Sequence, residues 1–269
     1  AVYFVKRGVV AYEQQISPNL ILKPAYTHAI HYNPPYVPFT DNNNDTISQI
    51  RTQDISFDIR LSYKEAISNN HFRRLYIDSR YPVCHLNISQ NHYSFNNVSD
   101  WYTQLRLVVR HEILIGVGRM KYVVEAGMLT KPVPFPLLEV HRGNETGSSG
   151  EYYFNHMNYM EFASDAFVNL YAEYGMNGFF FNKIWLLRKL QLRELLTFKA
   201  CYGRMLNDNN SILTLPQNTF ELNMPYMEAG IGVTNLLKFI RLEYIWRLNY
   251  LDHSDISKKG LYIRFNFEF

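Results

Sequence analysis

The sequence is poor in cysteine, in clustered charge and in long apolar runs. Its 269 residues include only Cys84 and Cys201, too few for a disulfide framework. The sequence does not decide whether a disulfide joins them, but we expect two unpaired thiols that are buried or face lipid. The formal net charge is +3 and the basic residues are dispersed, which argues against nucleic-acid binding. No apolar run reaches the roughly 18 residues that a transmembrane helix needs.

The sequence also lacks the common motifs of catalysis and metal binding. It contains no Cys-x-x-Cys or His-Glu-x-x-His spacing and no glycine-rich phosphate loop. His28 and His31 are three residues apart, which places them on opposite faces of a strand. His141 and His156 flank a long loop, where a solvated pair is far more common than a metal site. We therefore expect no enzyme, no cofactor and no metal.

Strict alternation of apolar and polar residues is what the sequence does contain. In the last nine residues every second side chain is apolar, as a strand between lipid and a wet lumen requires. The closing Phe269 is typical of the assembly signal of bacterial outer-membrane barrels. The apolar residues are Leu261, Ile263, Phe265, Phe267 and Phe269, and the polar ones are Tyr262, Arg264, Asn266 and Glu268.

The same period of two recurs over residues 55–64, 104–115, 166–176 and 240–250. Its polar positions carry charges that would face the lumen and could tune a channel, although any barrel of this size has a charged lumen. These candidate lumen charges are Arg60, Arg106, Arg110, Glu112, Glu173, Arg241, Glu243, Arg247 and Arg264.

A soluble sandwich or lipocalin-like barrel would alternate in the same way. The predicted strands are ~12–15 residues long, however, which suits a tilted crossing of a bilayer better than a soluble sheet. Aromatic residues near strand ends suit interfacial girdles, namely Tyr63, Trp101, Tyr102, Trp246 and Tyr250. We therefore predict an all-β, transmembrane antiparallel β-barrel in the lipid of the bacterial outer membrane, as one domain over residues 1–269.

The pattern predicts eleven strands, an odd number for a single-chain bacterial barrel. The chain also starts without an initiating Met or a signal peptide. We therefore expect it to lack N-terminal strands and a periplasmic domain. The predicted strands are 1–14, 19–32, 50–64, 81–92, 100–114, 118–131, 157–176, 191–204, 226–234, 237–250 and 258–269.

A periplasmic C-terminus would orient the connections. Loops 33–49, 93–99, 132–156, 205–225 and 251–257 would then lie outside the cell, and connections 65–80 and 178–190 in the periplasm. The second of these is too apolar for a free loop at residues 179–181 and 184–187. It would prolong the strands or form a short interfacial segment.

Loop 132–156 is the most site-like feature. Three prolines stiffen its start, and its glycines permit conformations closed to other residues. It would either tuck into the lumen, with Arg142 paired to inward acids such as Glu112, Glu173 or Glu243, or form an ordinary surface loop or plug element. The candidate lumen-loop residues are Glu139, His141, Arg142, Gly143 and Asn144.

Several segments resemble a family of Bacteroidetes outer-membrane proteins of unestablished function, which often carry an N-terminal carboxypeptidase-like regulatory domain. The segments are Tyr81-Pro82-Val83, residues 134–144, Met157-Asn158-Tyr159-Met160-Glu161-Phe162, residues 177–184 and Leu192-Arg193-Glu194. The resemblance covers residues 73–269 and is weaker before them.

The chain also resembles, more distantly, the bacterial surface antigen superfamily, the sixteen-stranded, BamA-like barrels of outer-membrane-protein assembly and translocation machines. In that superfamily a long extracellular loop enters the lumen and five strands follow it, as loop 132–156 is followed here. The superfamily loop usually carries an Arg-Gly-aromatic tip, and this chain has Arg142-Gly143-Asn144 without the aromatic. The likeness implies a sixteen-stranded barrel of which this chain is the C-terminal part.

Three functions follow from the pattern and the resemblance. The first is a barrel that assists the assembly or translocation of envelope or surface proteins. The second is a porin-like channel for small solutes. The third is a structural subunit docked to a larger outer-membrane complex. Lipid is the expected partner in each, with other outer-membrane or surface proteins in the first and third, and nucleic acid in none.

Overall fold

The computed structural model describes residues 4–35, 37–41, 45–69, 74–253 and 255–265. Phe269, the expected assembly signal, lies outside these residues. The strands are β1 (Val5–Ala11), β2 (Gln14–Ser17), β3 (Leu20–Tyr32), β4 (Gln49–Leu61), β5 (Glu65–Asn69), β6 (Arg74–Ser79), β7 (Val83–Phe95), β8 (Val98–Ile115), β9 (Gly118–Leu129), β10 (Glu139–Val140), β11 (Ala163–Ser164), β12 (Ala166–Gly175), β13 (Arg193–Arg204), β14 (Tyr226–Leu236), β15 (Ile240–Arg247) and β16 (Lys259–Phe265).

Twelve of these strands form one antiparallel sheet. Eleven follow the order β1-β3-β4-β7-β8-β9-β12-β13-β14-β15-β16, and the short β2 also pairs with β3. Each neighbour on this path is the next long strand in the chain, so the sheet is a continuous meander. The predicted all-β antiparallel architecture is confirmed, and the eleven predicted strands correspond to the eleven strands of the path.

Several predicted boundaries were wrong. Residues 157–165 are not part of the large sheet, because β12 begins only at Ala166 and Ala163–Ser164 form the separate short strand β11. Glu161 accepts a hydrogen bond from the Asn158 backbone N–H at 2.9 Å, which closes a turn instead of continuing a strand. The predicted loop 93–99 is a two-residue turn between β7 and β8, and Asn96 takes the positive φ of 46° that such turns require. Within the predicted connection 65–80, β5 and β6 form a hairpin.

The sheet curves around its polar face. Arg241 on β15 and Glu173 on β12 form a 2.8 Å ion pair, although two strands lie between them. A flat sheet would separate these strands by about 14 Å, at ~4.8 Å per strand. At the end of the sheet that carries the long connections, the Thr214 N–H donates to the Thr40 carbonyl at 3.0 Å, so connections 205–225 and 33–48 meet across the concave side.

Burial along the strands is the reverse of that in a soluble protein. On the convex face, Phe57 is 55% exposed, Ile231 54% and Leu261 61%. On the concave face the side chain of Arg247 is fully buried. Apolar side chains on the outside and charged ones inside suit a wall whose outer solvent is lipid. No helix among the described residues has the length and apolar character to cross a membrane.

Two apolar clusters fill the concave side. The cap cluster, at the long-loop end, contains the buried residues Phe39, Ile47, Ile50, Tyr93, Phe95, Tyr102, Leu129, Val133, Phe135, Leu138, Ala163 and Leu213. The lumen cluster contains Val123, Phe154, Met157, Phe162, Tyr171, Cys201, Leu222 and Tyr226.

Two of the five residues expected in the interfacial girdles pack into or against these clusters instead. Tyr102 is buried in the cap cluster, and Tyr250 packs against the lumen cluster. Tyr63 and Trp101 are exposed, as a girdle requires. Cys84 and Cys201 are both unpaired, and Cys201 is buried.

Candidate functional site

The connection between β9 and β12, residues 130–165, folds onto the concave face, and we call it the plug loop. Its two arms form a hairpin: β10 pairs with β11, and the Asn144 N–H donates to the Met157 carbonyl at 2.8 Å. Gly143 lies so close to the Met157 and Asn158 carbonyl oxygens that a Cβ atom would overlap them. Only glycine fits at this point of the hairpin.

The first anchor of the plug loop is Glu125 on β9. It accepts from the Arg106 Nε of β8 at 2.8 Å and forms a 3.3 Å ion pair with Arg142 of the loop. Arg106 also binds Glu139 of the loop at 3.2 Å. Arg142 thus pairs with an inward acid, as expected, but the three acids named as examples were wrong, because the arm that carries Arg142 meets Glu125 instead.

The three acids expected to bind Arg142 have other partners. Glu112 binds Arg119 at 2.6 Å and Lys121 at 3.5 Å. Glu173 binds Arg241 at 2.8 Å and Arg264 at 3.6 Å. Glu243 binds Arg241 at 2.8 Å and accepts a hydrogen bond from the Ser149 hydroxyl of the plug loop.

The second anchor is Glu228 on β14. Its two carboxylate oxygens accept from the backbone N–H groups of Asn155 and His156, at 2.8 and 2.6 Å, and from the Tyr226 hydroxyl at 2.7 Å. Glu228 is 1% exposed. A fully buried carboxylate is tolerated here because the loop backbone satisfies it.

The third anchor is Arg247 on β15, which is paired with Glu161 of the loop at 2.6 Å. The same guanidinium donates to the His156 carbonyl at 2.9 Å. His253, in the connection that follows β15, lies 2.8 Å from Glu161. Glu161 thus joins the plug loop to β15 and to the next connection.

Two further contacts complete the attachment. Lys199 on β13 donates to the Tyr153 carbonyl at 2.7 Å and to the Gly150 carbonyl. The Ser149 N–H donates to the Ile263 carbonyl of β16 at 3.1 Å, and the Ile263 N–H donates to the Gly147 carbonyl at 3.0 Å. The plug loop therefore contacts strands from β8 to β16.

The remaining candidate residues lie near the loop or at the opposite end of the sheet. The Arg110 guanidinium lies 5.4 Å from the Tyr152 ring centroid, and Arg264 lies 3.5 Å from Glu151. Asn144 donates to the Ser148 carbonyl at 2.8 Å, which stabilises the loop tip. Arg60 pairs with Glu65 at 2.7 Å, away from the plug loop.

The two loop histidines do not pair with each other and are not solvated. His141 is 1% exposed and lies 3.0 Å from the Ser164 hydroxyl, whereas His156 is 2% exposed and lies 2.9 Å from the Ile245 carbonyl. Burial lowers the pKa of His141 to about 4 and also lowers that of His156. Both are neutral at pH 7 and act as packed polar groups.

The buried charges make this arrangement suited to act as a latch. Burial raises the pKa of Glu139, against the opposing effect of Arg106. Within the described ranges, no three His, Cys, Asp or Glu side chains group as a metal site would require. What the site does is to join a loop to a curved wall through buried charges.

Sequence reasoning missed Glu125, Glu161, Lys199 and Glu228. Glu228 could have been found, because it lies on the same face of β14 as Tyr226, Gly230 and Gly232. Glu161 was hidden by the wrong assignment of residues 157–165 to a strand.

Comparisons with known proteins agree with this fold. The crystal structure of BamA from Haemophilus ducreyi lacking POTRA domains 1-3 is similar, with a TM-score of 0.52 and 15% identity, over 96% of this chain and 54% of that chain. The chain thus spans about half the length of that structure. At this identity the likeness concerns the fold alone, a large antiparallel β-sheet like that of the BamA barrel. No curated protein matches the chain. Residues 23–209 match the C-terminal domain of the family of unknown function DUF5686, and the chain belongs to that family.

Proposed function

We propose that the chain is part of an integral outer-membrane β-barrel that assists the assembly or translocation of envelope or surface proteins. The plug loop, joined to the concave face by buried charges, is the observation that carries this proposal. It precedes five strands, β12 to β16, as in the surface antigen superfamily that the sequence resembles. Origin in Bacteroidetes and a preceding carboxypeptidase-like domain belong to the same proposal.

The anchoring of the loop favours this function over a porin. A porin needs a wide aqueous lumen. Here Phe154, Met157 and Phe162 of the plug loop are fully buried in the lumen cluster. Withdrawal of the loop would expose these apolar side chains to water and break the buried Arg247–Glu161 pair, and both effects favour a loop that stays in the lumen.

Depletion of the protein, followed by an inventory of the outer membrane, tests the proposal. We expect specific envelope or surface proteins to disappear and wild-type protein to restore them. Arg142→Ala, which removes the link between one arm of the plug loop and Glu125, should restore them poorly. The matched control is Arg119→Ala, which removes a comparably exposed ion-paired arginine at the other end of the sheet. An unchanged inventory after depletion would refute the role in assembly.

Planar-bilayer conductance separates this function from solute transport. We expect only small or irregular currents from the wild-type protein. Large, steady channels would favour the porin alternative. Stable co-purification with one large complex after mild extraction, with an unchanged inventory, would favour a structural subunit.

A further inference from the structure

We infer that the connection between β12 and β13 is a membrane-interface anchor that binds anionic phospholipid headgroups. This connection, residues 176–192, is called the anchor segment here. It contains the short helix α1 (Trp185–Lys189), preceded by a 3₁₀ turn at Phe181–Lys183. The inference requires the barrel to lie in a membrane but not that it assembles other proteins.

The anchor segment is attached to the convex face of the sheet. Glu194 lies on the same face of β13 as the exposed Leu196 and Phe198, yet it is only 8% exposed. Its carboxylate accepts from the backbone N–H groups of Phe180 and Phe181, at 2.7 and 2.5 Å. The turn before α1 therefore covers the carboxylate from the side that faces lipid.

The segment exposes large apolar side chains that continue the apolar convex face. A five-residue helix is not stable by itself in water. A contiguous apolar patch that is exposed on a protein surface marks an interaction site. Its exposed apolar residues are Phe179, Phe180, Ile184, Trp185, Leu186 and Leu190.

The charge of the segment is of one sign. Lys183, Arg188 and Lys189 are exposed, Arg193 follows at the start of β13, and no Asp or Glu lies between Tyr174 and Arg193. The Lys183 Nζ lies 4.7 Å from the Phe179 ring centroid, so cation and aromatic ring share one surface. Aromatic rings at headgroup depth with basic side chains beside them are the composition that binds anionic lipid surfaces.

Quenching of Trp185 fluorescence by brominated lipids tests the inference. The protein is refolded into mixed vesicles of phosphatidylcholine and phosphatidylglycerol, with bromine on one lipid or the other. The difference between the wild type and Trp185→Phe isolates the signal of Trp185. We expect brominated phosphatidylglycerol to quench more strongly than brominated phosphatidylcholine.

Charge variants identify the groups responsible. K183Q/R188Q/K189Q should lower the preference for phosphatidylglycerol by roughly tenfold or more. The control K131Q/K258Q/K259Q removes the same charge near the long-loop end and should keep the preference. Equal quenching by both lipids, or an unchanged preference in the first variant, would overturn the inference.

Quenching by acrylamide, which is dissolved in the water, shows whether water or a protein surface covers the anchor segment instead of lipid. If Trp185 were open to acrylamide and unaffected by either brominated lipid, the segment would stand in water, and the inference would be wrong. If it were shielded from both, a protein surface would cover it, and the inference would again be wrong. No client protein is present in these vesicles, so either result leaves the proposed role in assembly untouched.

Discussion

Individual side chains on the concave face determine how firmly the plug loop is held. In the ion pair of Arg247 with Glu161, both side chains are almost completely buried. Removing only one partner of such a pair lowers the free energy of unfolding strongly, because the remaining charge stays buried without its counter-charge. The anchors therefore restrict the loop to one position on the wall.

Arg247→Met tests this anchor. We expect the free energy of unfolding in urea, measured in lipid vesicles, to fall by about 3–5 kcal/mol, because Glu161 would stay buried and lose its arginine partner. Arg119→Met removes an ion-paired arginine that is 57% exposed, and its effect should be below about 1 kcal/mol. Equal losses in the two variants would contradict the assignment of Arg247 as an anchor.

Gly143→Ala tests the close approach of the two loop arms. A methyl group at this position would overlap the Met157 and Asn158 carbonyls, so the hairpin must open. We expect the plug loop to become sensitive to protease in the folded protein. Gly147→Ala is the control, because nothing lies within 4 Å of a Cβ at that glycine. A protected loop in the Gly143 variant would show that the arms do not meet there.

His141 makes the stability of the folded state depend on pH. Its pKa is about 4 in the folded protein and about 6.5 when unfolded, so its contribution is complete above pH 6.5 and is lost as the pH falls towards 4. The shift corresponds to about 3 kcal/mol. The wild type should therefore lose about that much more stability than His141→Gln between about pH 7 and pH 4. Parallel pH profiles would refute a buried neutral His141.

The sequence predicts which face a strand residue occupies better than which partner it finds. Alternation placed Arg241, Glu243 and Arg247 on the inner face, where the structure has them. Arg142 pairs with Glu125 because the loop crosses β9 at that point. Such a pairing depends on the path of a loop and on the curvature of the sheet, and no local pattern encodes either.

Strands were predicted well and connections poorly, for a physical reason. A strand between lipid and lumen must alternate at every step, so its signal accumulates over its length. The plug loop takes its structure from contacts with strands distant in the sequence, and its residues 157–165 were wrongly joined to the alternating strand that follows them. Helix α1 has only five residues, too few for a periodic signal. Connection 178–190 was expected either to prolong the strands or to form a short segment of its own, and the structure has the short segment.

Ile231→Lys tests whether the convex face meets lipid. Ile231 lies in the middle of β14 and is 54% exposed. On a lipid face a midplane lysine costs about 2–4 kcal/mol, whereas on a wet surface the change stays within about 0.5 kcal/mol. Leu237→Lys, in the turn after β14, should have little effect in either case. A neutral Ile231→Lys in vesicles would contradict a lipid-facing wall.

Across the described strands the usual distribution of side chains is inverted: apolar side chains face outward and ion pairs face inward. Alternation predicted this only together with strand length, because soluble sandwiches alternate in the same way but have shorter strands. The protein's client does not follow from the alternation, because alternation reports only which solvent each face of a strand meets.

Folding of the purified protein with and without a membrane mimic is the most direct test. We predict β-rich circular dichroism and a monodisperse particle in detergent micelles or lipid vesicles. In buffer without either, we predict aggregation, because the exposed apolar face would meet water. A dispersed, folded, β-rich protein in plain buffer would contradict the account.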